Sequence, residues 1–503
     1  MWAQAVVLIL AGVLQTLTFA PFHWWWLGPL SIPLILLVSL ERPPRHMFRT
    51  GWLFGLGLFG SGVSWVYVSI SEYGNTPAII AVLLTAIFVA GLALFHGLAF
   101  WFWGRLTPDS SRRRLLLLPA VWILGDWLRS WLLTGFPWLY LGTAQVDGPL
   151  AGYAPITGVY GITFLVAATG IGIWVVPALM RKGRPVAGGL VALITLAPWL
   201  SGPLLNRIQW TDLSEQPTPI AAMQGNIPQQ IKWDPDFLKH QIEIYLGLTQ
   251  DDWHKAIILW PETAIPLPQD QAGKIIEYIR EQLGPDSTLI TGIPWYGYSE
   301  RLKDFTYHNS IMAIGNGQGM YHKQRLVPFG EYVPLQHWLR GLIGFFDLPM
   351  SSFSPGPENQ PPLTANGYKV MPFICYEVAY PDFVARRARN MDLLITISND
   401  GWFGHSFGPL QHLQIARMRA LETGRYMLRD TNNGLSAIID EKGQITGTIP
   451  QFTRQTMRGN VHMATGATPY MLSGSWPVLT LAVILIVLIR ERRRPSTASN
   501  AAD

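Results

Sequence analysis

Seven apolar stretches fill the first part of the chain, at about 3–20, 25–40, 51–70, 77–103, 115–134, 156–180 and 186–202, and an eighth lies at about 472–489. A helix needs about 20 mostly apolar residues to cross roughly 30 Å of hydrocarbon. Most of the stretches are long enough; the second is short. The pattern restricts the chain to an α-helical transmembrane bundle, expected to have eight spans, that carries something else between its seventh and eighth helices. The whole chain is 49% hydrophobic and 14% charged, more apolar than an ordinary soluble enzyme.

The formal charge of +5 is not spread as in a nucleic-acid binder. Four short segments carry 14 of the 37 Lys and Arg, and they are the connections after spans two, four and six and the tail after span eight. With their three acids they sum to +11, which leaves −6 for the rest of the chain. The connections after spans one, three and five, "PFHWWW", "SISEYGNTP" and "GFPWLYLGTAQVDGPLAGYAP", hold no Lys or Arg. The positive-inside rule then assigns both termini to the cytoplasm and everything between spans seven and eight to the opposite face. One stretch that fails to cross would break this alternation. Trp24, Trp25, Trp26 and Trp138 suit the aromatic belt of that opposite face. The first stretch lacks a basic leader, and Pro21 follows its only small-residue pattern, so a retained helix is expected rather than a signal peptide. Inside the fifth stretch, Asp126 and Arg129 stand three apart on one helical face and are read as a structural ion pair, with lipid head-group contact as the alternative. Gly55 and Gly57 read as helix-packing glycines rather than a nucleotide loop.

Residues 203–470 have a different texture. Short β-rich runs at Ile220–Gly225, Ala256–Trp260, Thr288–Pro294, Ser310–Ile314, Tyr368–Cys375, Leu393–Ser398, Arg425–Thr431 and Ser436–Ile439 alternate with helical ones at Pro235–Thr249, Ala272–Leu283, Asp382–Asn390 and Pro409–Thr423. That alternation predicts an α/β domain. The three/four spacing of Leu410, Leu413, Ile415, Met418 and Leu421 predicts an amphipathic helix.

Three sites in this domain could carry chemistry. In "FICYE", the only cysteine, Cys375, ends an apolar strand. It reads either as a small core hydrophobe or as a nucleophile whose thiol pKa is lowered by the helix expected just after Pro381. In "ILWPETAIP", Glu262 stands at the mouth of a buried strand, where desolvation suits a carboxylate to general-base work; the plainer reading is an acid facing water. In "YHKQRLVPFGEYVP", Lys323 precedes a Pro/Gly-rich loop that holds Glu331. A lysine there could steady a thiolate and an oxyanion, or simply be solvated. His23, His96, His405 and His412 have no metal-ligand spacing, so no metal is expected.

The ordered glutamate, lysine and cysteine in these three motifs resemble the Glu-Lys-Cys triad of the nitrilase superfamily, over about 220–460. With the flanking spans, and with "QGNIPQQIKW", "SNDGWFG", "HLQIARMRALETGR" and "TNNG", the chain resembles the apolipoprotein N-acyltransferase family. The resemblance implies a four-layer αββα sandwich, bounded here as 203–470. It implies that Cys375 takes an acyl chain from the sn-1 position of a phospholipid such as phosphatidylethanolamine, then passes it to the N-terminal amine of a diacylglyceryl-cysteine apolipoprotein. It implies Glu262 as general base, Lys323 as oxyanion stabiliser, and Glu331, Tyr376 and Glu377 as supporting residues. Trp233, Phe329, Trp402 and Phe403 match aromatic substrate-contact positions. A monomer in the bacterial inner membrane, with a periplasmic catalytic domain and no cofactor, is expected. The apolar segment Leu342–Phe353 is expected either to gate acyl-chain entry at the bilayer or to pack on the core. Two other readings remain: a membrane-anchored amidase that uses water as acceptor, and a transporter or sensor without catalysis.

Overall fold

The computed structural model describes residues 2–108, 110–299, 303–333 and 352–490. The apolar stretches form helices Trp2–Thr16, Leu27–Ser39, Met47–Gly62, Ala78–Leu106, Ser111–Arg129, Ala154–Arg181, Pro185–Leu205 and Trp476–Ile489. By length and composition, Ala78–Leu106, Pro149–Arg181 and Pro185–Leu205 can cross a membrane. A fourth crossing arises if Pro44–Gly62 and Val66–Tyr73 are one span, bent by 61°. Trp2–Thr16, Leu27–Ser39 and Trp476–Ile489 are apolar but shorter. The expected continuous span 51–70 is therefore broken, just past Gly62 at residues 63–65.

Glycine sets the closest helix contacts. A Cβ on Gly57 would lie 2.1 Å from the Ile9 carbonyl oxygen, and one on Gly55 would lie 2.8 Å from the Ala93 Cα. Close backbone approach of this kind holds helices together where lipid removes the hydrophobic drive. Asp126 and Arg129 form the expected buried pair, at 2.9 Å. Arg129 also donates to the carbonyls of Phe136 and Trp138, at 2.7 and 2.6 Å, and so fixes the connection that follows. At one end of the bundle the buried Arg114 guanidinium donates to the carbonyls of Ser39, Leu40 and Arg42, tying two of the basic connections together.

The remaining described residues build two large sheets and a two-stranded one, Asp212–Leu213 paired with Ala464–Thr465. One has six strands in the order Gln455–Val461, Thr218–Gln224, Ile257–Leu259, Thr288–Ser299, Asp304–Gly315 and Met320–His322. The other has seven: Ile445–Ile449, Ser436–Ile439, Met427–Thr431, Leu393–Ser398, Tyr368–Ile374, Leu363–Ala365 and Gly317–Gln318. Strand periodicity sorts the layers. Ala221, Met223, Ile258 and Leu289 pack against helices Leu238–Thr249 and Gly273–Gln282. Their neighbours Ile220, Ala222, Ile257, Leu259 and Ile290 share a core with Val370, Phe373, Leu394 and Ile397 of the second sheet. Helices Pro381–Arg387 and Gly408–Thr423 belong to that second core, which continues without a break into the membrane helices. All eight expected strands and four expected helices are present, with ends shifted by a few residues.

One expectation is corrected. Helix Gly408–Thr423 is not amphipathic: every residue of it but Leu410 is buried. One side packs on the second sheet, and the other sends Gln411, Gln414, Arg417 and Glu422 into the bundle. The Gln414 Oε1 accepts from the Ala20 amide at 3.0 Å, and the Glu422 Oε1 accepts from the Val159 amide at 2.9 Å.

Candidate active site

Three strands end together on the side of the sandwich that faces the bundle. Ile257–Leu259 runs into Glu262, Tyr368–Ile374 into Cys375, and Leu393–Ser398 into Asn399. The first lies in one sheet and the other two in the second. The gap is closed by the Asn399 amide, which donates to the Glu262 Oε2 at 2.7 Å. Tyr376 and Tyr380, just past the cysteine, donate to the carbonyls of Gly135 and Thr134 in the bundle, at 3.1 and 2.9 Å.

Lys323 leaves strand Met320–His322 and is buried with its Nζ 2.8 Å from the Glu331 Oε2 and 3.9 Å from the Glu262 Oε1. Asn309 bridges the two carboxylates: its Nδ2 donates to the Glu262 Oε1 at 2.7 Å and to the Glu331 Oε1 at 2.9 Å. Burial alone would lower the Lys323 pKa; Glu331 first, then Cys375 and Glu262, overcome it and hold this ammonium above the usual lysine range. Lys323 is thus a fixed cation.

Cys375 is half-buried and adopts a left-handed backbone conformation, φ +53°. For a residue with a Cβ this costs about 1–3 kcal/mol and persists only where the surroundings impose it. They do so from both sides. Glu377, two residues on, accepts from the amides of Ile374, Gln324 and Arg325, at 2.8, 2.6 and 3.2 Å, and from the Tyr321 hydroxyl at 2.9 Å. The His412 Nε2 donates to the Cys375 carbonyl at 3.1 Å, while its Nδ1 faces the buried pair Asp400 and Arg429. Burial pushes the Cys375 thiol up to about 12, the Glu262 charge adds to this, and Lys323 opposes it. The expected lowering by a helix terminus does not hold: helix Pro381–Arg387 begins six residues later, and desolvation dominates. The resting sulfur is a thiol, and work as a nucleophile would require it to give up its proton.

The four aromatic positions behave differently from one another. Trp233 is half-buried beside Lys232. Phe329 sits at φ +65° with its amide donating to the Tyr332 carbonyl at 2.7 Å. Phe403 and Trp402 engage the bent membrane segment: the Phe403 ring lies 4.8 Å from Trp65, and the Trp402 ring lies 5.9 Å from Tyr73. Of the apolar segment Leu342–Phe353, only Ser352 and Phe353 fall among the described residues. The Phe353 amide donates to the Glu331 carbonyl at 2.9 Å.

Sequence reasoning missed several residues here: Asn309, Asn399, His412, Asp400 and Lys232. Asn309 left a signal, as a polar side chain in the middle of a strand whose neighbours are buried. Lys232 lay inside the quoted "QGNIPQQIKW" but has no spacing that marks it. Among the described residues no group of His, Cys, Asp or Glu could hold a metal ion.

Comparison with known proteins agrees with this architecture. Residues 11–172 match the family model described as apolipoprotein N-acyltransferase N-terminal domain, and residues 220–469 match that described as carbon-nitrogen hydrolase. The chain is 44% identical over 502 residues to the apolipoprotein N-acyltransferase of Azotobacter vinelandii, covering 99% of this chain and 97% of that one. It is 44% identical to that of Pseudomonas aeruginosa, covering 98% and 97%, and 45% identical to that of Pseudomonas syringae pv. tomato, covering 96% of each. Over its membrane helices and its two-sheet domain alike, the chain belongs to the apolipoprotein N-acyltransferase family.

Proposed function

We propose that this protein transfers an acyl chain from a phospholipid to the N-terminal amine of a diacylglyceryl-cysteine lipoprotein, by way of a thioester on Cys375. The observation that carries this reading is the cluster of Glu262, Asn309, Glu331 and Lys323 beside Cys375, on the face turned to the membrane helices. Glu262 takes the thiol proton as the sulfur attacks the sn-1 ester carbonyl. The Lys323 ammonium donates to the oxyanion that forms. Glu262 returns the proton to the departing lysophospholipid, leaving the thioester. The neutral amine of the acceptor then attacks the thioester, Glu262 receives its proton, and the thiol is restored as the amide forms. Glu331 orients Lys323; Glu377 holds the Cys375 turn; Tyr376 ties that turn to the bundle. Trp233, Phe329, Trp402 and Phe403 line the approach for acyl chains.

The orientation follows from the same reading. Eight helices cross the bacterial inner membrane, the shorter ones included, with both termini cytoplasmic and residues 203–470 periplasmic. The protein acts as a monomer with no cofactor. Both substrates keep acyl chains in the bilayer, so the active site must open toward it.

The test is intact-mass analysis of the purified protein after incubation with phospholipid. An acyl adduct on Cys375, discharged by a diacylglyceryl peptide to give the N-acyl peptide, is the expected result. Absence of the adduct, or fatty acid release without peptide at the same rate, would overturn the transfer reading; the second outcome would favour a hydrolase.

A further inference from the structure

Of the carboxylates around Cys375 among the described residues, Glu331 and Asp400 have ion-pair partners, and Glu377 is met by three backbone amides and the Tyr321 hydroxyl. Lys323 is matched by Glu331 at 2.8 Å. Asp400 is matched by Arg429 at 2.6 Å. Glu262 has no such dedicated partner: Lys323 reaches it only at 3.9 Å, and its close contacts are the neutral amides of Asn309 and Asn399. A lone carboxylate beside the sulfur opposes both the thiolate and the oxyanion that the reaction must pass through.

A second lysine lies at this point. Lys232 is 1% exposed, and its Nζ donates to the backbone carbonyl of Glu262 at 2.7 Å. Its loop is anchored: Gln241 donates to the carbonyls of Ile231 and Lys232, at 3.2 and 3.0 Å, and the Gln229 side chain accepts from Asn399 at 2.5 Å. An ammonium has three donors, and among the described residues Lys232 engages one of them, with the Glu262 carbonyl. Burying an ammonium with so little compensation is unfavourable unless a nearby negative charge requires it.

We propose that Lys232 is a positioning and charge-balancing residue for the transfer reaction, a second active-site cation that holds the Glu262 turn and offsets its carboxylate while Cys375 gives up its proton. With Lys232 charged, Glu262, Glu331, Lys323 and Lys232 sum to zero. Proton transfer from sulfur to Glu262 then leaves these four groups and the thiolate summing to zero. Without it the same pocket carries −1 before the sulfur ionises. Burial lowers the Lys232 pKa to about 8, with Glu262 and Cys375 acting in the opposite sense. Lys232 is therefore protonated below about pH 8 and loses its charge above it, so its support for the thiolate fades as pH rises through that value.

The inference rests on Cys375 being the acylated nucleophile, and the experiment separates the two. Full-length protein in detergent, as wild type, Lys232→Met and Lys232→Arg, is assayed for Cys375 alkylation by iodoacetamide from pH 6 to 10 and for acyl adduct by intact mass. Lys232→Met is expected to slow alkylation at pH 7.5 by about tenfold or more, the effect of one unit of thiol pKa, and to lower kcat with little change in KM for phospholipid. Lys232→Arg is expected to restore the rate below pH 8 and to keep rising above it, where the wild-type curve flattens. Equal alkylation profiles in wild type and Lys232→Met would overturn the role of Lys232 even where the wild-type adduct forms. If Lys232→Met does not fold, superimposable wild-type and Lys232→Arg profiles above pH 8 would overturn it equally. A wild type that forms no adduct would sink the nucleophile reading instead, whatever the lysine variants do.

Discussion

At the scale of single residues, the candidate site is a problem of keeping like charges apart among buried side chains. Two carboxylates, Glu262 and Glu331, approach one ammonium, and Asn309 gives each a hydrogen from the same amide nitrogen. The bridge sets the distance between them and leaves each with an oxygen for other partners. Replacing Asn309 with Leu removes both donors while keeping the volume. Each buried acceptor left unmet costs about 1–3 kcal/mol. We expect Asn309→Leu to lower the thermal midpoint in detergent and to cut turnover at least about 100-fold, as loss of a preorganised donor does elsewhere. Turnover within threefold of wild type would show that the bridge is dispensable. Cys375, Glu262 and Lys323 stood out as candidates because each ends or follows an apolar run in a short motif, and their roles came from the resemblance of the three motifs to a family triad. Asn309, Asn399 and His412 did not stand out, because their roles are defined by partners more than 20 positions away or by backbone amides.

At the scale of elements, helix Gly408–Thr423 links the strands that carry the candidate site to the bundle. Its leucine spacing gave the helix but not its surroundings, because buried polar residues look like an exposed face when only hydrophobicity is read. Gln411 shows the difference. Its Oε1 accepts from the indoles of Trp138 and Trp65, at 2.7 and 3.2 Å, and its Nε2 donates to the Gly62 carbonyl at 3.2 Å, just before the bent membrane segment. The next residue on this helix, His412, supports the Cys375 carbonyl. We expect Gln411→Leu, which strands two indole donors and a carbonyl, to destabilise the protein by about 2–4 kcal/mol, read as a lower melting temperature in detergent. Gln411→Glu keeps the acceptor and should fall between the two. An unchanged melting temperature for Gln411→Leu would show that the helix does not latch the two parts together.

At the scale of the whole molecule, one hydrophobic core runs from the second sheet into the bundle. The connections after helices Trp2–Thr16 and Ser111–Arg129, and the bent segment at Val66–Tyr73, all touch the two-sheet domain. Basic connections meet at Arg114 instead. This predicts opposite accessibility of the two ends. With Cys375 replaced by Ser, a cysteine placed at Gln444 should react with a membrane-impermeant maleimide from outside spheroplasts, and one at Lys182 only after lysis. Labelling of both from one side would refute the proposed orientation. The sequence by itself determined the apolar helices, the charge asymmetry between their connections, and the strands and helices of the α/β domain, because hydrophobic period and charge are local properties. Only the tertiary structure decided the bend after Gly62, the all-round burial of Gly408–Thr423, the left-handed Cys375 and the arrival of Lys232 beneath Glu262. Each of these is settled by atoms from distant segments competing for the same buried space and the same few hydrogen bonds, and no local pattern records that competition.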